Sequence, residues 1–532
     1  MQETTRRVAA WCPRQGGASA GDAMDHAELI RRLEAVVGRP YVLHRADDVS
    51  VYEQDALMVA RGRPDAVVLP ESAEQVAAVV RIAREAGLPV VPRGAGTGLA
   101  GGAIPVRGGI VVALTRMTRI LEIDVASRLA VVEPGVVNAD LTAALEPHGL
   151  FYAPDPGSQV ASTIGGNVAT NAGGPHCLAY GVTGNNVLGL EVVLPDGTLT
   201  WVGGRAHDAP GYDLVGLLVG SEGTLGIVTK VVVRLMQKRE AVRTLLAIYD
   251  TMDAACEATS AVIAAGIVPE ALEVLDGISM RAVNRTLGAG FPEDAEAALL
   301  IEVEGVAEAV PVLMARIEAI CRQHGARRIQ TAATADERVG LWKGRKHAYG
   351  ALGRLGRRAM MLDVCAPRSR LAAVMRQVLE AGRKWDVGVA NFFHAGDGNM
   401  HPTPFFDVTE DSPEYARVVG LTEDIMRACV DAGGTITGEH GIGLEKREYL
   451  GWMFGEADIA AMKRVKAVFD PDGLCNPDKV FPTGRPPHAV PAPRGADGGE
   501  AARAGVGGEE AGAPDAAVPE ATGRPGGPRA LA

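Results

Sequence analysis

Cysteine is scarce in this sequence, and no two cysteines lie close together. Seven occur in 532 residues, and the shortest spacing, between Cys321 and Cys365, is 44 positions. Because iron–sulfur clusters need closely spaced thiolates, the chain carries no cluster of its own. The odd number and wide spacing favour reduced thiols in a reducing cytoplasm over a disulfide framework.

Long apolar runs are also missing. No stretch reaches the roughly 18 apolar residues of a membrane span. The twin arginines Arg6 and Arg7 precede only five apolar residues, fewer than the roughly seven that a secretory signal needs. We therefore expect a cytoplasmic protein that reaches the inner membrane only peripherally, through partners, and a disordered extension over residues 1–24.

A basic charge balance is absent, which excludes nucleic-acid binding as the main function. The net charge is -12 and the pI is about 5.5, whereas affinity for a phosphate backbone depends on clustered Lys and Arg. A hydrophobic content of 47% with only 4% aromatics describes a soluble globular protein with an aliphatic interior. The length predicts two or three domains, with room between them for a large cofactor.

Composition divides the chain into segments. We expect a helical lead-in over residues 25–61, an α+β domain over 62–240, a second domain over 241–482 and a disordered tail over 483–532. The tail is rich in Pro, Gly, Ala and Glu and nearly free of large apolar side chains. It cannot bury enough surface to offset the entropy of ordering.

Apolar and β-branched runs predict the main elements of both domains. The lead-in begins with a helix over 25–37. In the first domain we expect strands at 64–69, 88–92, 109–114, 130–132, 188–194 and 225–235, and a helix over 72–86 that Ser72 and Gln75 cap and Gly87 ends. In the second, strands at 245–249 and 298–303 alternate with helices at 252–265 and 310–324, which predicts an antiparallel sheet covered on one side. Helices at 413–431 and 457–469 enclose a short glycine-bounded loop.

Three of the 11 histidines lie in two glycine-bounded loops. The first reads His394-Ala-Gly-Asp-Gly-Asn-Met-His401, and the second contains Glu439-His440 between glycines. The glycines favour turns, which can aim both imidazoles of the first loop at one point. If the loops meet, His394, His401 and Glu439 form a ligand set for zinc, iron or manganese with one position open. His440 is then a free base beside the metal; the alternative is a set of ordinary surface or core histidines.

A glycine-dense segment at 92–102 has formal G-x-G-x-x-G spacing. A nicotinamide site of that type needs a helix after the third glycine, whereas Pro105 and further glycines follow, so we reject the dinucleotide helix. Backbone N–H groups of such a turn can still bind pyrophosphate, with Arg93 and Thr97 adding a charge and a hydroxyl. Taken alone, the segment is equally compatible with a plain surface turn.

Two further polar, glycine-rich segments follow at 155–174 and 220–228. The three segments carry P-R-G-x-G-T, S-T-I-G-G-N and G-S-E-G-T-L-G-I-V in this order, and they resemble the flavin domain of the vanillyl-alcohol oxidase and p-cresol methylhydroxylase superfamily. The histidine loops and the D-P-D-G-L-C-N-P run at 470–477 resemble the FAD-linked D-2-hydroxy acid dehydrogenases and oxidases, in the branch of bacterial glycolate oxidase. The resemblance covers residues 25–482. It implies an α+β fold with a two-subdomain PCMH-type FAD-binding domain, followed by a FAD-linked oxidase C-terminal domain of antiparallel sheet and helices.

The resemblance implies bound FAD. Residues 93–102 would contact the pyrophosphate, 156–158 and 162–167 the flavin, and Glu222 and Ile227 the adenine end. The implied cofactor-binding residues are Arg93, Gly94, Ala95, Gly96, Thr97, Gly98, Gly101, Gly102, Pro156, Gly157, Ser158, Ser162, Thr163, Gly165, Gly166, Asn167, Glu222, Gly223, Ile227 and Asn476.

Resemblance and chemistry together imply oxidation of a small D-2-hydroxy acid to the 2-oxo acid. A metal on His394, His401 and Glu439 would bind the substrate hydroxyl and carboxylate oxygens. His440 would take the proton as hydride passes to FAD. Arg345 matches the family position that grips the carboxylate, although its surroundings alone also fit a solvated basic helix.

Three positions favour glycolate or D-lactate over a dicarboxylate. Tyr349, Met361 and Thr403 stand where 2-hydroxyglutarate dehydrogenases have Thr, Lys and Asn. We expect glycolate as substrate, and the alternatives are a stand-alone D-lactate dehydrogenase, a D-2-hydroxyglutarate dehydrogenase and a non-catalytic flavin-binding subunit. Alkylglycerone-phosphate synthases share the flavin domain, but a longer lipid-handling cap would be expected for them.

Reduced flavin needs an electron acceptor outside this chain, which has neither cluster ligands nor a nicotinamide site. The resemblance implies an iron–sulfur subunit and a second flavin-domain subunit that feed the quinone pool.

Thr97 stands where relatives with covalently attached flavin have a histidine, so we predict dissociable FAD. Acid precipitation should leave a colourless pellet and a yellow supernatant. A pellet that stays yellow after washing would contradict non-covalent binding.

Overall fold

The structure, a computed structural model, describes residues 24–206, 210–356, 358–409 and 412–485. The extension predicted over 1–24 lies outside these ranges except for Met24, and the tail predicted over 483–532 lies outside them except for residues 483–485. Among the described residues, no helix is long and apolar enough to cross a membrane. The cysteines in these ranges are all free thiols.

The N-terminal half combines short helices with two main sheets. Its helices are α1 (His26–Val37), α2 (Ala46–Val49), α3 (Ala73–Glu85), α4 (Asn138–Leu145), α5 (Ile164–Thr170), α6 (Cys177–Tyr180) and α7 (Leu214–Leu218). Its strands are β1 (Val42–Leu43), β2 (Ala66–Val68), β3 (Val90–Arg93), β4 (Ile110–Ala113), β5 (Ile120–Asp124), β6 (Leu129–Val132), β7 (Leu150–Phe151), β8 (Val187–Val193), β9 (Leu199–Gly203), β10 (Ile227–Arg234) and β11 (Met236–Gln237).

The first sheet has the order β1-β2-β4-β3, with β2, β4 and β3 parallel and β1 antiparallel at the edge. The segment predicted as a helical lead-in thus also supplies a strand. Helices α1 and α3 cover one face through a cluster that includes Leu33, Val80 and Ile110. As the sequence predicts, α3 begins after Ser72, whose Oγ accepts a hydrogen bond from the backbone N–H of Gln75 at 3.3 Å.

The second sheet is antiparallel, in the order β5-β6-β10-β8-β9, and α4, α5 and α7 pack on it. Between β3 and β4 the chain forms turns and no helix, which confirms the rejection of a dinucleotide helix. Gly101 and Gly108 adopt φ angles of +78° and +68° there, and Pro105 lacks a backbone N–H, so a helix could not continue through this segment.

The C-terminal half is built around a larger sheet. Its helices are α8 (Met252–Ala264), α9 (Gly277–Leu287), α10 (Ala309–Gln323), α11 (Ala335–Lys346), α12 (Ala348–Leu352), α13 (Leu371–Trp385), α14 (Tyr415–Asp431) and α15 (Glu456–Phe469). Its strands are β12 (Ala241–Tyr249), β13 (Ala271–Asp276), β14 (Ala297–Gly305), β15 (Arg328–Thr331), β16 (Arg358–Ala359), β17 (Val364–Cys365), β18 (Gly388–His394), β19 (Asn399–Met400) and β20 (Pro402–Phe406).

This antiparallel sheet runs in the order β15-β12-β14-β13-β18-β19-β17. The prediction of helices on one side is wrong, because both faces are covered. Leu245 and Ala247 of β12 pack towards α8, α10, α13 and α14, while Leu246 and Ile248 pack towards α9, α11 and α12. A strand buried on both faces is apolar throughout and lacks the alternation that reveals an open face.

Candidate functional site

A cavity of about 710 Å³ brings together the glycine loops and the histidine loops. It lies between segments of the N-terminal and C-terminal halves. The residues of the sequence-based prediction that line it are Arg93, Gly94, Ala95, Gly96, Thr97, Gly98, Gly102, Pro156, Gly157, Ser158, Ser162, Thr163, Gly165, Gly166, Asn167, Glu222, Gly223, Ile227, Arg345, His394, His401, Glu439 and His440.

The glycine loops pack directly on one another, and this explains why they lack side chains. A Cβ at Gly94 would lie 2.4 Å from Oγ1 of Thr163, so the first and second loops touch. A Cβ at Gly223 would lie 2.3 Å from Cγ of Pro92, so the third loop touches the first. Gly223 also has a φ of +70°, which side chains rarely adopt.

Several buried polar atoms on the wall of this cavity have no hydrogen-bond partner among the described residues. They are Oγ of Ser162, Nδ2 of Asn167 and Oε2 of Glu222. Leaving such atoms unpaired costs about 1–3 kcal/mol each, so a polar ligand is expected to satisfy them. Together with the glycine-lined wall, they fit a large cofactor such as FAD.

Arg93 is buried and lines the cavity, but its guanidinium binds protein groups. It donates to the backbone oxygens of Gln54 at 2.9 Å and Val51 at 3.4 Å, and it lies over the ring of Tyr52. Burial lowers the pKa of Arg93. The residue predicted to hold pyrophosphate therefore also ties the first glycine loop to the lead-in segment.

Two residues of the predicted cofactor set, Gly101 and Asn476, are not among those that line the cavity. A Cβ at Gly101 would meet Leu57 and Leu444 instead. The side-chain amide of Asn476 donates to the backbone oxygens of Gly102 at 2.8 Å and Glu222 at 2.7 Å. Asn476 thus holds the first and third glycine loops together from outside.

Glu222 joins the third glycine loop to the histidine side of the cavity. Its Oε1 accepts hydrogen bonds from the backbone N–H groups of Ile442 at 2.8 Å and Gly443 at 3.0 Å. Burial raises the pKa of this carboxyl. The residue predicted near the adenine end therefore fixes the segment that follows His440.

The predicted metal ligands converge. Oε1 of Glu439 lies 3.2 Å from Nε2 of His394 and 3.1 Å from Nε2 of His401, and the ligand atoms of all three lie within 4.8 Å of one another. The far nitrogens are held as well: Nδ1 of His394 lies 2.8 Å from Oε1 of Glu273, and Nδ1 of His401 lies 3.1 Å from the backbone oxygen of Leu362. Such outer partners are typical of metal-binding histidines, so this donor set fits a divalent metal.

Electrostatics agree with a site built for a cation. Burial alone would lower the pKa of His394, but the carboxylates of Glu273 and Glu439 outweigh it and hold this pKa well above its ordinary value. Burial likewise opposes the ionisation of Glu439, yet His394 and His401 hold the pKa of its carboxyl well below the usual range. The carboxylate of Glu439 therefore faces the point where the imidazoles meet, and that of Glu273 lies behind His394 at its far nitrogen.

Asp363, which sequence reasoning missed, anchors the second histidine loop. Its buried carboxylate accepts from Oγ1 of Thr437 at 2.6 Å and from the backbone N–H groups of Gly438, Glu439 and His440 at 2.8–3.1 Å. Burial opposes its charge, but the nearby charge of Lys446 and the other partners hold the pKa of Asp363 well below its usual value.

A second group of donor atoms, from Asp363, His401 and His440, is also compact. Asp363 is already engaged by these donors and by Nζ of Lys446 at 3.3 Å, so it serves as an anchor and not as a ligand. Asp363 is the only acid in the apolar run of residues 360–365, and this pattern in the sequence could have identified it.

His440 lies face to face with His401, one of the predicted metal ligands. Its ring stacks on that of His401 with centroids 5.1 Å apart and an interplanar angle of 5°, and its Nε2 lies 4.0 Å from Oε1 of Glu439. Burial lowers the pKa of His440 to about 4, so the imidazole is neutral near pH 7. Its buried Nδ1 has no hydrogen-bond partner among the described residues.

Arg345 extends from α11 into the same cavity and is buried. Its Nη2 lies 2.7 Å from Oε2 of Glu273, the carboxylate that also holds His394. Neither Nη2 nor Nε is in a directed hydrogen bond within the described ranges. The guanidinium therefore has donors left for a carboxylate ligand.

Two protein-family models match the chain. The FAD binding domain matches residues 64–203, and the C-terminal domain of FAD linked oxidases matches residues 238–480. Over 460 residues the chain is 44% identical to glycolate oxidase subunit GlcD of Escherichia coli K12, covering 86% of this chain and 92% of that one.

The chain is also 36% identical to a D-lactate dehydrogenase of Archaeoglobus fulgidus, covering 78% of this chain and 90% of that one. Among solved structures, p-cresol methylhydroxylase with substrate bound superposes with a TM-score of 0.73 and 18% identity, covering 88% of this chain and 99% of that one. At that identity the likeness concerns the fold alone.

We predict that Asp363→Asn lowers the metal content of the purified protein at least tenfold. The amide loses one acceptor and the negative charge that hold the loop of Glu439, while FAD content should remain close to one per chain. Elemental analysis and flavin absorbance measure the two ratios. Asp424→Asn is the matched control, because that carboxylate pairs with Lys384 and Trp385 away from the cavity. Equal metal content in both variants would contradict the anchoring role of Asp363.

Proposed function

Because this chain belongs to the family of FAD-linked oxidases, we propose that it oxidises a small D-2-hydroxy acid, with glycolate favoured, to the 2-oxo acid. The observation that carries the proposal is the cavity shared by the glycine loops, the His394–His401–Glu439 cluster and Arg345. One space thus offers a place for FAD, a metal and a carboxylate.

Each group that the reaction needs has residues to hold it. Bound FAD, held by the glycine loops, supplies the acceptor for a hydride from the substrate Cα. A divalent metal (zinc, manganese or iron) on His394, His401 and Glu439 supplies a Lewis acid for the hydroxyl and carboxylate oxygens of the substrate. The remaining roles fall to His440 and Arg345.

His440 takes the proton of the substrate hydroxyl. The O–H bond breaks towards the imidazole, the Cα–H bond breaks with its electron pair, and the C–O bond becomes a C=O bond, so two electrons and two hydrogen nuclei leave the substrate. A neutral, buried imidazole beside the metal ligands suits this step.

Arg345 binds the substrate carboxylate and orients the Cα–H bond. Nη2 contacts Glu273, but Nε has no hydrogen-bond partner among the described residues, so the guanidinium can still donate to a carboxylate. Tyr349 and Met361 also line the cavity and add no cation for a second carboxylate. Thr403 is buried and donates to the backbone oxygen of His401, so it holds a ligand instead of substrate. The residue types at these three positions favour glycolate or D-lactate over 2-hydroxyglutarate.

The electrons pass to a separate acceptor. The described cysteines are dispersed thiols without a cluster arrangement, and the Escherichia coli relative is named as a subunit. We expect an iron–sulfur subunit and a second flavin-domain subunit as partners, with peripheral attachment to the inner membrane through them.

A stand-alone D-lactate dehydrogenase is the second candidate, favoured by the 36% identity to a protein named D-lactate dehydrogenase. Both functions use the same groups, so substrate preference distinguishes them. We predict that the isolated, FAD-loaded chain reduces an artificial dye with glycolate at a higher kcat/KM than with D-lactate. The opposite preference would favour the second candidate.

We predict that His440→Ala lowers dye reduction about 10²–10⁴-fold, because general-base catalysis contributes that much. FAD absorbance and metal content should stay unchanged, and His148→Ala, at an exposed site, is the control. Full activity in His440→Ala would contradict the assignment of His440 as the base, whereas a wild-type chain that reduces no dye with either substrate would favour a flavin-binding subunit without chemistry.

Removal of the metal with a chelator should abolish oxidation while the flavin absorbance spectrum remains that of bound FAD. Activity should return when zinc, manganese or iron(II) is added back, and the most effective ion identifies the metal. Full activity in chelated protein whose metal content is verified as zero would refute the assignment of His394, His401 and Glu439 as ligands of a catalytic metal.

A further inference from the structure

A second buried polar centre lies beside the cavity, around Glu302 of β14. This carboxylate is fully buried. It accepts hydrogen bonds from Oγ1 of Thr244 at 2.5 Å, from Nε1 of Trp342 at 2.6 Å, and from Nε and Nη2 of Arg338 at 2.8 and 2.5 Å. An unpaired charge in this place would be strongly destabilising, so these partners are obligatory.

Two of these partners lie on α11, the helix that carries Arg345. Arg338, Trp342 and Arg345 are spaced by four and three residues and therefore share one face of the helix. The first two bind Glu302, and Arg345 contacts Glu273 on the adjacent strand. Helix α11 is thus docked along its length on buried carboxylates of the sheet.

The two carboxylates share one face of the sheet. In the antiparallel register of β13 and β14, Ala271 is opposite Glu302 and Glu273 is opposite Leu300. Side chains two residues apart on a strand point to the same side. Glu273 also pairs with the metal-ligand candidate His394. The carboxylates of β13 and β14 therefore position both α11 and His394.

His176 connects this centre to the flavin side of the cavity. Its Nε2 lies 3.4 Å from Oε1 of Glu302, its Nδ1 lies 2.7 Å from Oδ2 of Asp155, and its ring lies over Trp342 with centroids 5.6 Å apart. Asp155 lines the cavity and directly precedes the segment 156–158 predicted along the flavin. One imidazole therefore joins the flavin loop to α11.

The charges reinforce this connection. Burial alone would lower the pKa of His176, but Asp155 and Glu302 outweigh it and hold this pKa well above its ordinary value. Burial also opposes the charge of Glu302, yet His176 and Arg338 hold the pKa of that carboxyl below its usual range. The bridge is a cation between two anions, with the stronger hydrogen bonds that charge brings.

We propose that His176 and Glu302 form a positioning centre that sets the placement of Arg345 relative to the flavin loop, and so controls how the 2-hydroxy acid is held for oxidation. This role rests on the proposed function. Neither His176 nor Glu302 is among the residues that line the cavity; they act through α11 and through Asp155.

The test uses the FAD-loaded full chain and two variants, His176→Gln and Arg338→Gln, with their double mutant. Arg338 is not among the residues that line the cavity, so its effect on substrate must pass through Glu302. His148→Gln and Arg322→Gln are matched controls, because His148 is exposed and Arg322 pairs with Glu318 on the surface of α10. Rapid mixing with glycolate gives the apparent substrate dissociation constant and the limiting rate of flavin reduction, separately from reoxidation by dye.

Each variant should weaken apparent glycolate affinity or slow flavin reduction about tenfold, the effect of losing a hydrogen bond to a charged group. FAD content, metal content and the rate of reoxidation by dye should match those of the wild type. The double mutant should lose about tenfold and not about a hundredfold, because both side chains act through one carboxylate. Both controls should behave as the wild type does.

Kinetics per bound FAD equal to those of the wild type would overturn the proposal, whether or not the variants lose stability or FAD. Independent effects that multiply in the double mutant would also overturn it. Should one variant fail to fold, the other gives the same comparison.

A failure of the proposed function has a different signature. If the wild type is reduced by neither glycolate nor D-lactate, the substrate assignment is wrong. Oxalate has no Cα–H bond to break, so its binding, followed by the change in flavin absorbance, reports carboxylate binding without turnover. Affinity for oxalate that falls about tenfold in both variants supports the positioning centre, and unchanged affinity overturns it.

Discussion

The need to pair buried carboxylates governs this molecule. A carboxylate removed from water is tolerated only when its oxygens are fully engaged, and several such groups lie between the glycine loops and the histidine loops. Glu222 binds the backbone after His440, Asp363 binds the backbone of the Glu439 loop, and Glu273 holds His394 and Arg345. Each of these carboxylates fixes one part of the cavity wall through the contacts that it makes.

These contacts explain how glycine-rich loops can form a rigid site. Glycine-rich turns have high conformational freedom and would not by themselves hold imidazoles at one point. Here the turn of residues 437–440 is pinned by three successive N–H groups on a single buried anion. The geometry of the cluster thus depends on Asp363, which orients the loop of Glu439. Outer partners orient the inner residues of metal sites in the same way.

Much of the local structure could be predicted from the sequence, because its signals are local. The cap at Ser72 and the turns after Arg93 follow from single residues whose preferences act over one turn of chain. Burial on both faces of the large sheet could not be predicted in this way, since residues 245–249 of β12 and 297–301 of β14 are apolar without interruption and show no alternation. The family motifs predicted that the loops converge, whereas the spacing of residues along the chain could not.

The acids at 273, 302 and 363 escaped prediction for a related reason. In a sequence, a single acid within an apolar run marks a position of interest but also resembles an outward-facing residue, and tertiary contacts are needed to reveal that it is buried and paired. Arg93 shows the converse: the motif marks it as a cofactor contact, whereas its tie to Gln54 and Val51 involves residues about 40 positions away and leaves no local signal.

Gly173 lies at the end of the second glycine segment, and a Cβ there would fall 2.6 Å from Oε2 of Glu439 and 2.9 Å from Sγ of Cys177. The backbone of the N-terminal half therefore packs directly against the side chain of Glu439 in the C-terminal half. The halves cannot be treated as interchangeable modules: a chimaera that joined this C-terminal half to the flavin domain of a distant relative would need the same bare backbone at this point. Recombination at the domain boundary would therefore separate two surfaces that are in close contact at Gly173 and Glu439.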